Sequence, residues 1–176
     1  TKHQPMNPMR EIYVGKLTLN VGSGRDQNKR EKARKLIEEI TGQEPITATA
    51  KKRIAGWDIR PGLPVGALLT LRGDEATEIL DRLLYAKDYE LDPESFDDYG
   101  NISFGIPEYV DIQDLDYDTE IGMMGLEAAV TLRRPGYRVK HRQIRPKDLP
   151  DNHRIDQEEA MTYFKDSFDV TIEAQT

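Results

Sequence analysis

The stretch that decides the fold is EIYVGKLTLNVGSGRDQNKREKARKLIEEITG, residues 11–42. Its first part, EIYVGKLTLNV, contains β-branched and alternating apolar residues, a pattern that predicts a strand. The glycines of 22–24 end this strand, and Asp26 is a suitable N-cap for a helix. Apolar residues at the helical spacing i, i+3, i+4, i+7 then predict a buried stripe of Ala33, Leu36, Ile37 and Ile40. Gly42 is placed to end the helix at its C′ position.

The rest of the chain alternates between the same two periods. Strands are predicted at 46–50, 65–71, 101–106, 126–132 and 168–172. Further helices are predicted from Asp74 and from an N-cap at Asp156 to Phe164. This mixture of strands with three helices predicts an α+β fold, in which helices pack on one face of an antiparallel sheet.

Two segments follow neither period and are predicted to protrude as loops, 51–66 and 133–154. The first, KKRIAGWDIRPGLPVG, has three Gly and two Pro in sixteen residues. Residues 89–100 are acidic and are predicted to be irregular. Because no repeat or linker interrupts the chain, we expect a single domain over 1–176, with a disordered tail at 1–9.

Composition narrows the class of protein. The chain has 176 residues and no cysteine, which excludes a disulfide framework, a thiolate metal site and a cysteine nucleophile. No apolar run approaches the roughly 20 residues that a membrane-spanning helix needs, and the polar N-terminus has no signal-peptide pattern. A soluble, cytoplasmic protein is therefore expected.

The charges are strongly segregated along the chain. The formal net charge is −7, which by itself argues against a nucleic-acid ligand. However, residues 133–147 contain seven Lys or Arg and no acid, and residues 25–35 contain six bases against two acids. Acids dominate residues 74–127. Since the Debye length is about 8 Å at physiological salt, a phosphate near a basic segment is little affected by a distant acidic face.

Candidate enzyme and metal sites are weak. None of the three histidines accompanies a nucleophile in a recognisable motif. The turn at 22–24 precedes a helix, as a phosphate-binding turn does, but it lacks the remaining residues of the dinucleotide and P-loop motifs. Asp92, Asp97 and Asp98 can ligate a hard cation, although a solvated acidic loop fits their spacing better. No cofactor and no metal are predicted.

The two basic segments have the composition of RNA contacts. In the 51–66 loop, cations can meet phosphates, glycines allow close backbone approach, and Trp57 can stack on a base or sugar. Trp57 can equally be an anchor buried against the body of the domain. The run at 133–147, with Tyr137 interleaved, is hard to explain by a structural role alone. These features predict a non-catalytic RNA-binding protein.

Four strings make the sequence resemble a known family: LTLNVGSG (17–24), ITGQEPITATAKKRIAGWDIRPGLPVGALLTLRG (40–73), FDDYGNISFGIPE (96–108) and GLEAAVTLRRPGYRVKHR (125–142). In this order they closely resemble the large-subunit ribosomal protein of family five, which binds 5S rRNA. The resemblance covers about residues 9–170 and agrees with the α+β fold. The RPGYR segment, followed by the basic loop and HRI at 153–155, is similar to the archaeal and eukaryotic branch, and the acidity favours an archaeal member.

The resemblance implies which residues contact 5S rRNA. Asn20 corresponds to the asparagine that ends the first strand of the family, and Gln43 corresponds to the glutamine of its TGQ corner. Thr70 corresponds to the threonine of a later strand, and Arg72 follows it. In relatives, such polar residues on the sheet and at the ends of elements hydrogen-bond the RNA.

The resemblance also implies two further RNA contacts and one protein contact. The glycine-rich loop resembles one that reaches the peptidyl-site tRNA at its elbow, here through Lys51, Lys52, Arg53, Gly56, Trp57 and Arg60. The basic segment would face large-subunit rRNA in the central protuberance, through Arg133, Arg134, Arg138, Lys140, Arg142, Arg145 and Lys147. The acidic stretch near 108–120 would face away from RNA, toward a small-subunit protein across the subunit interface.

The resemblance thus predicts a structural constituent of the archaeal large ribosomal subunit with no enzymatic activity. Two alternatives belong to other classes. A free-standing RNA chaperone or regulatory RNA binder would use the same fold away from the ribosome, and it would not co-sediment with large subunits in high salt. A metal-dependent phosphotransfer enzyme would use the acidic loops, and it would hydrolyse nucleotides when magnesium or manganese is added.

Overall fold

The computed structural model describes residues 7–173. Residues 1–6 of the predicted tail lie outside this range. Pro8–Arg10 form a 3-10 helix, with the Asn7 side chain accepting a hydrogen bond from the Met9 N–H. The expectation of a disordered tail therefore does not hold for Pro8 and Met9, because this turn is capped and Arg10 contacts the far end of the chain.

The main sheet contains five antiparallel strands in the order β2-β3-β1-β6-β5, so the first strand lies in its middle. The strands are β1 Tyr13–Gly22, β2 Ile46–Thr49, β3 Pro64–Leu71, β5 Asn101–Ile106 and β6 Leu126–Arg133. The helices are α1 Gln27–Thr41, α2 Asp74–Tyr85, α3 Arg138–His141 and α4 Gln157–Phe168. The predicted α+β class with an antiparallel sheet is confirmed.

One face of this sheet forms the core. Alternate residues of β1, β3, β5 and β6 are buried, as the two-residue period of a strand requires: Leu17, Leu19, Val21, Leu69, Leu71, Ile102, Ile106, Val130 and Leu132. They share one apolar cluster with the predicted stripe of α1 and with Ile79, Leu80, Leu83 and Leu84 of α2. The two long helices thus cover this face, and the other face carries no helix of the α1–α2 pair.

Local signals set the ends of the helices. The Asp26 carboxylate accepts hydrogen bonds from the N–H groups of Asn28 and Lys29 at the start of α1, and Gly42 (φ 70°) ends it in the left-handed conformation that glycine adopts easily. Asp156 and Glu159 form a capping box on α4. This last helix continues a turn beyond its predicted end at Phe164, because Phe168 is also buried, with ring centroids 5.5 Å apart.

A second, two-stranded sheet was not predicted. β4 (Glu90–Leu91) lies in the segment expected to be irregular, and it pairs in parallel with β7 (Thr171–Ile172). The predicted strand at 168–172 is therefore shorter than expected, since its first residue still belongs to α4. This pairing ties the C-terminal end of the described chain to the segment after α2.

The segment 133–154 is more structured than the predicted loop. It contains α3 and a 3-10 helix at Asp151–His153, and it folds back on the domain. The Tyr137 hydroxyl donates to the His153 carbonyl (3.2 Å) and accepts from the Ile155 N–H (3.1 Å). Only residues 141–148 within it form a continuous exposed run.

Candidate nucleic-acid interface

The face of the sheet opposite α1 and α2 is lined by small and polar side chains. The strand register places Asn101, Thr131 and Lys16 in one row across the sheet. The next row contains Ser103, Ala129, Thr18 and Thr70, and the third contains Gly105, Glu127, Asn20, Leu68 and Ile46. We call these three rows the open face. None of its members falls in the buried class, and the face is free of bulky aromatic side chains.

Two of the residues implied by the family resemblance lie side by side on the open face. Thr70 and Thr18 are cross-strand partners whose hydroxyl oxygens are 3.4 Å apart. Asn20 lies in the adjoining row, and its amide donates to the Glu127 carboxylate at 3.4 Å. These contacts are long and use only part of the hydrogen-bonding capacity of each group. Donors and acceptors on this face therefore remain for a ligand.

One end of the open face leads into a basic cleft of about 480 Å³. Lys16, Asn101 and Thr131 form its floor, and Lys140 and Arg154 border it. Its other lining residues include Tyr99, Arg133, Tyr137 and His141. The cleft therefore combines cations with tyrosines next to a flat polar surface, a combination that suits a nucleic-acid backbone and its bases.

The structure corrects one member of the predicted basic set. Arg134 is only 3% exposed, and its guanidinium donates to the carbonyls of Arg10 (3.1 Å) and Arg154 (2.9 Å) and to the Glu159 carboxylate (2.6 Å). It therefore holds the chain together and does not face solvent. Arg133 is half-buried beside the cleft, and the other predicted members are exposed: Arg138, Lys140, Arg142, Arg145 and Lys147.

The glycine-rich loop is exposed along almost its whole length. Two hydrogen bonds close its base, from the Ala50 N–H to the Leu63 carbonyl and from the Gly62 N–H to the Ala50 carbonyl, both 2.8 Å. Trp57 lies in a 3-10 helix at Ala55–Trp57 and is 69% exposed, so it is not the buried anchor that the sequence left open.

The remaining predicted residues of this loop are all exposed as well: Lys51, Lys52, Arg53, Gly56 and Arg60. Ile59 is buried and fixes the loop from inside. Asp58, the one acid of the loop, is paired with Arg25 at 2.6 Å. The cations of the loop therefore share an exposed surface with Trp57.

Gln43 and Arg72 lie away from the centre of the open face. Gln43 follows the C-terminal end of α1, and its amide donates to Glu75 in the first turn of α2 at 2.7 Å. Arg72 is exposed directly after β3. The structure thus brings Asn20 and Thr70 together and places Gln43 and Arg72 where elements end.

The acidic segment after β5 is fixed to α1. Lys35 pairs with Asp118 (3.0 Å) and with Glu120. These two carboxylates raise the pKa of the Lys35 ammonium above its ordinary value. The Glu120 N–H and the Lys35 ammonium in turn lower the pKa of Asp118. Part of the positive charge of α1 is thus neutralised by the segment itself, on an element that packs against the covered face.

The acidic residues that were considered as metal ligands have structural partners instead. The Asp97 carboxylate accepts from the N–H groups of Tyr99 and Asn101, and Asp92 caps the turn that follows it. Within residues 7–173 there is no cluster of three or more His, Asp or Glu side chains suited to a metal ion. Over the same range, no helix has the length and apolar character required to cross a membrane.

Sequence reasoning missed several residues of the open face, namely Lys16, Thr18, Asn101, Ser103, Glu127 and Thr131. Each occupies an outward position of a strand that was correctly predicted, so the two-residue period already separated them from the core. A polar sheet face bordered by cations is a surface typical of nucleic-acid-binding proteins.

Comparison with known families agrees with this class. Residues 7–60 match the family model described as ribosomal protein L5, and residues 64–163 match the model described as the ribosomal L5P family C-terminus. The protein named large ribosomal subunit protein uL5 of Nanoarchaeum equitans is 46% identical over 167 residues, which are 94% of this chain and 98% of that protein. The uL5 proteins of Sulfurisphaera tokodaii and Methanosphaera stadtmanae are 43% and 39% identical, over 96% of this chain and 96% and 100% of their own lengths.

The chain belongs to the ribosomal protein L5 family, called uL5 in these archaeal relatives. The resemblance to the large-subunit protein of family five is therefore confirmed, and so is the prediction of a structural, non-enzymatic protein. The relatives named here are archaeal, as the RPGYR segment indicated.

Proposed function

We propose that this protein binds 5S rRNA through the open face and thereby helps to build the central protuberance of the large subunit. The observation that carries the proposal is the uncovered face itself, where Asn20, Thr18 and Thr70 present unsatisfied polar groups on a flat sheet. Helical RNA displays 2′-hydroxyls and base edges in a wide, shallow minor groove, and bulky side chains would keep that groove at a distance.

The basic cleft and the exposed run at 141–148 supply the phosphate contacts of this proposal. Phosphate contacts orient a protein on RNA, whereas contacts with bases and 2′-hydroxyls select the site. We infer that Arg133 and Lys140 in the cleft, with Arg142, Arg145 and Lys147 beyond it, face large-subunit rRNA or the 5S backbone. Arg134 is excluded from this role because its guanidinium is buried and paired.

The loop at 51–66 is proposed to contact the peptidyl-site tRNA. Its support is the exposed Trp57 among cations, since an aromatic ring can stack on an unpaired base while Lys51 and Lys52 meet phosphates. The loop leaves the sheet between β2 and β3. The open face and the loop can therefore bind two RNAs independently.

Removing single polar groups from the open face is expected to weaken 5S rRNA binding. Asn20→Ala and Thr70→Ala should each cost about 1–2 kcal/mol, because each removes a hydrogen bond that is buried in the complex. Gln43→Ala, at the end of α1, is expected to have an effect of the same sign. Calorimetry with folded 5S rRNA measures the change.

Thr77→Ala is the matched control, because Thr77 is exposed on α2 and lies outside the open face. Unchanged affinity for the Asn20, Thr70 and Gln43 variants would refute the assignment of these positions. A loss with Thr77→Ala as large as that with Thr70→Ala would show that the measurement does not report on the open face.

Deleting the tip of the loop, residues 54–59, is expected to separate the two RNA contacts. The hydrogen bonds between Ala50 and residues 62 and 63 lie outside the deletion, so the base of the loop remains closed. We expect unchanged 5S rRNA affinity and weaker peptidyl-site tRNA binding by reconstituted ribosomes. Trp57→Ala should reproduce the tRNA defect in part, and loss of 5S binding on deletion would show that the two contacts are not separate.

A further inference from the structure

The open face contains one carboxylate, that of Glu127, in its third row. Glu127 is exposed and lies between Gly105 and Asn20 across the strands. In the described part of the chain it has no Lys, Arg or His nitrogen within 4.0 Å, although other exposed acids such as Asp58, Glu44 and Glu120 are paired. Its one side-chain hydrogen bond comes from the Asn20 amide at 3.4 Å.

An unpaired carboxylate on a surface that binds RNA imposes a condition on its ligand. A phosphate placed against Glu127 would be repelled, and an ionised carboxylate only accepts hydrogen bonds. The part of the RNA that lies over this row must therefore offer donors. Among the groups of RNA, base edges and 2′-hydroxyls can donate, and guanine is the base that carries two adjacent N–H donors, N1–H and N2–H, on its Watson–Crick edge.

The surroundings of Glu127 leave room for a base. Two adjoining depressions, of about 590 and 650 Å³, meet at Asn20, Gly105 and Glu127. A Cβ atom added at Gly105 or at Gly22 would have no atom within 4 Å, so this end of the face stays open because side chains are absent. Asn20 adds an amide beside the carboxylate, which can accept or donate at the neighbouring edge of the same base.

We propose that Glu127 and Asn20 form a recognition site for the Watson–Crick edge of an unpaired or extruded guanine in the bound RNA. Both Glu127 oxygens accept, one from guanine N1–H and one from N2–H, and Asn20 contacts the adjacent O6 or the ribose. The proposal rests on the RNA-binding function proposed above and adds the base that is selected. Sequence-specific RNA recognition usually targets such splayed bases.

Two simpler roles for Glu127 lead to different results. If Glu127 were merely a solvated acid on the face, it would repel nearby phosphates, and removing its charge would tighten RNA binding. If it only positioned Asn20, a glutamine in its place would still offer an amide oxygen to the Asn20 amide. Glu127→Gln is therefore the decisive variant, since it keeps the size and removes one of the two acceptors.

The test compares wild type, Glu127→Gln and Glu39→Gln for binding to folded 5S rRNA. Glu39 is an exposed acid on α1, so its variant controls for the change in net charge. We expect Glu127→Gln to bind on the order of tenfold more weakly or worse, as for the loss of a bidentate base contact. Glu39→Gln should bind as tightly as wild type or more tightly, and denaturant midpoints should be equal.

Kethoxal, which modifies N1 and N2 of accessible guanines, gives the second measurement. At least one guanine should be protected by the wild type and reactive with Glu127→Gln at saturating protein. Equal or tighter binding by Glu127→Gln overturns the proposal. Weaker binding with no guanine changing its reactivity also overturns it and assigns Glu127 to positioning Asn20. Failure of the wild type to bind 5S rRNA would instead refute the function on which the proposal rests.

Discussion

Arg134→Ala is expected to lower the free energy of unfolding by about 3 kcal/mol, as is typical when one partner of a buried ion pair is removed. The guanidinium joins three parts of the chain that are distant in sequence. It donates to the Arg10 carbonyl before β1, to the carbonyls of His153 and Arg154, and to the Glu159 carboxylate on α4. Alanine leaves these acceptors unpaired in a site with little water.

Chemical denaturation followed by circular dichroism measures this change. Arg138→Ala is the matched control, because Arg138 is exposed four residues later and has no ion pair among residues 7–173, and its unfolding should be unchanged within error. Arg134→Lys should recover only part of the stability, since an ammonium cannot reproduce the planar fork that reaches all these acceptors. A loss below about 1 kcal/mol for Arg134→Ala would show that water replaces the guanidinium.

Gly66→Ala is expected to destabilise the protein by about 2 kcal/mol, within the range known for overpacked sites. Gly66 is buried in β3 and pairs with Gly22 of β1. A Cβ atom at this position would lie 2.5 Å from the Val21 carbonyl oxygen. Because that oxygen belongs to the backbone of the neighbouring strand, it cannot turn aside, and the pairing of β1 with β3 must shift.

Its cross-strand partner supplies the control. A Cβ atom added to Gly22 meets nothing within 4 Å, so Gly22→Ala should leave the unfolding midpoint close to that of wild type. If both variants unfold alike, the difference does not arise from the contact with Val21. Neither glycine has a positive φ, so left-handed backbone strain is not an explanation for the expected loss.

The periods of the sequence predicted most of the fold. The strands at 46–50, 65–71, 101–106 and 126–132 and the three longer helices are present in the structure, and the caps at Asp26, Gly42 and Asp156 were identified from local chemistry alone. The short pairing of β4 with β7 was not predictable, because two-residue strands have no period and their partners are about eighty residues apart. α3 is likewise too short to show a helical pattern.

The candidate site was predicted unevenly for a related reason. Family resemblance supplied Asn20 and Thr70, and the structure shows both on the open face. The error at Arg134 came from treating a run of basic residues as a surface feature. The inward positions of β6 are Leu126, Ala128, Val130 and Leu132, and Arg134 continues their alternation into the interior. Charge suggested exposure, whereas the strand period placed the side chain inside.

The sequence by itself determined the elements of this domain, its family and the separation of basic from acidic segments, because these properties depend on neighbouring residues. Tertiary structure alone decided which polar residues share a surface. Asn101, Thr131 and Lys16 form one row only through antiparallel pairing across more than a hundred residues of chain. The same pairing places Glu127 beside Asn20, since strand register is set by the burial of the opposite face and not by local sequence.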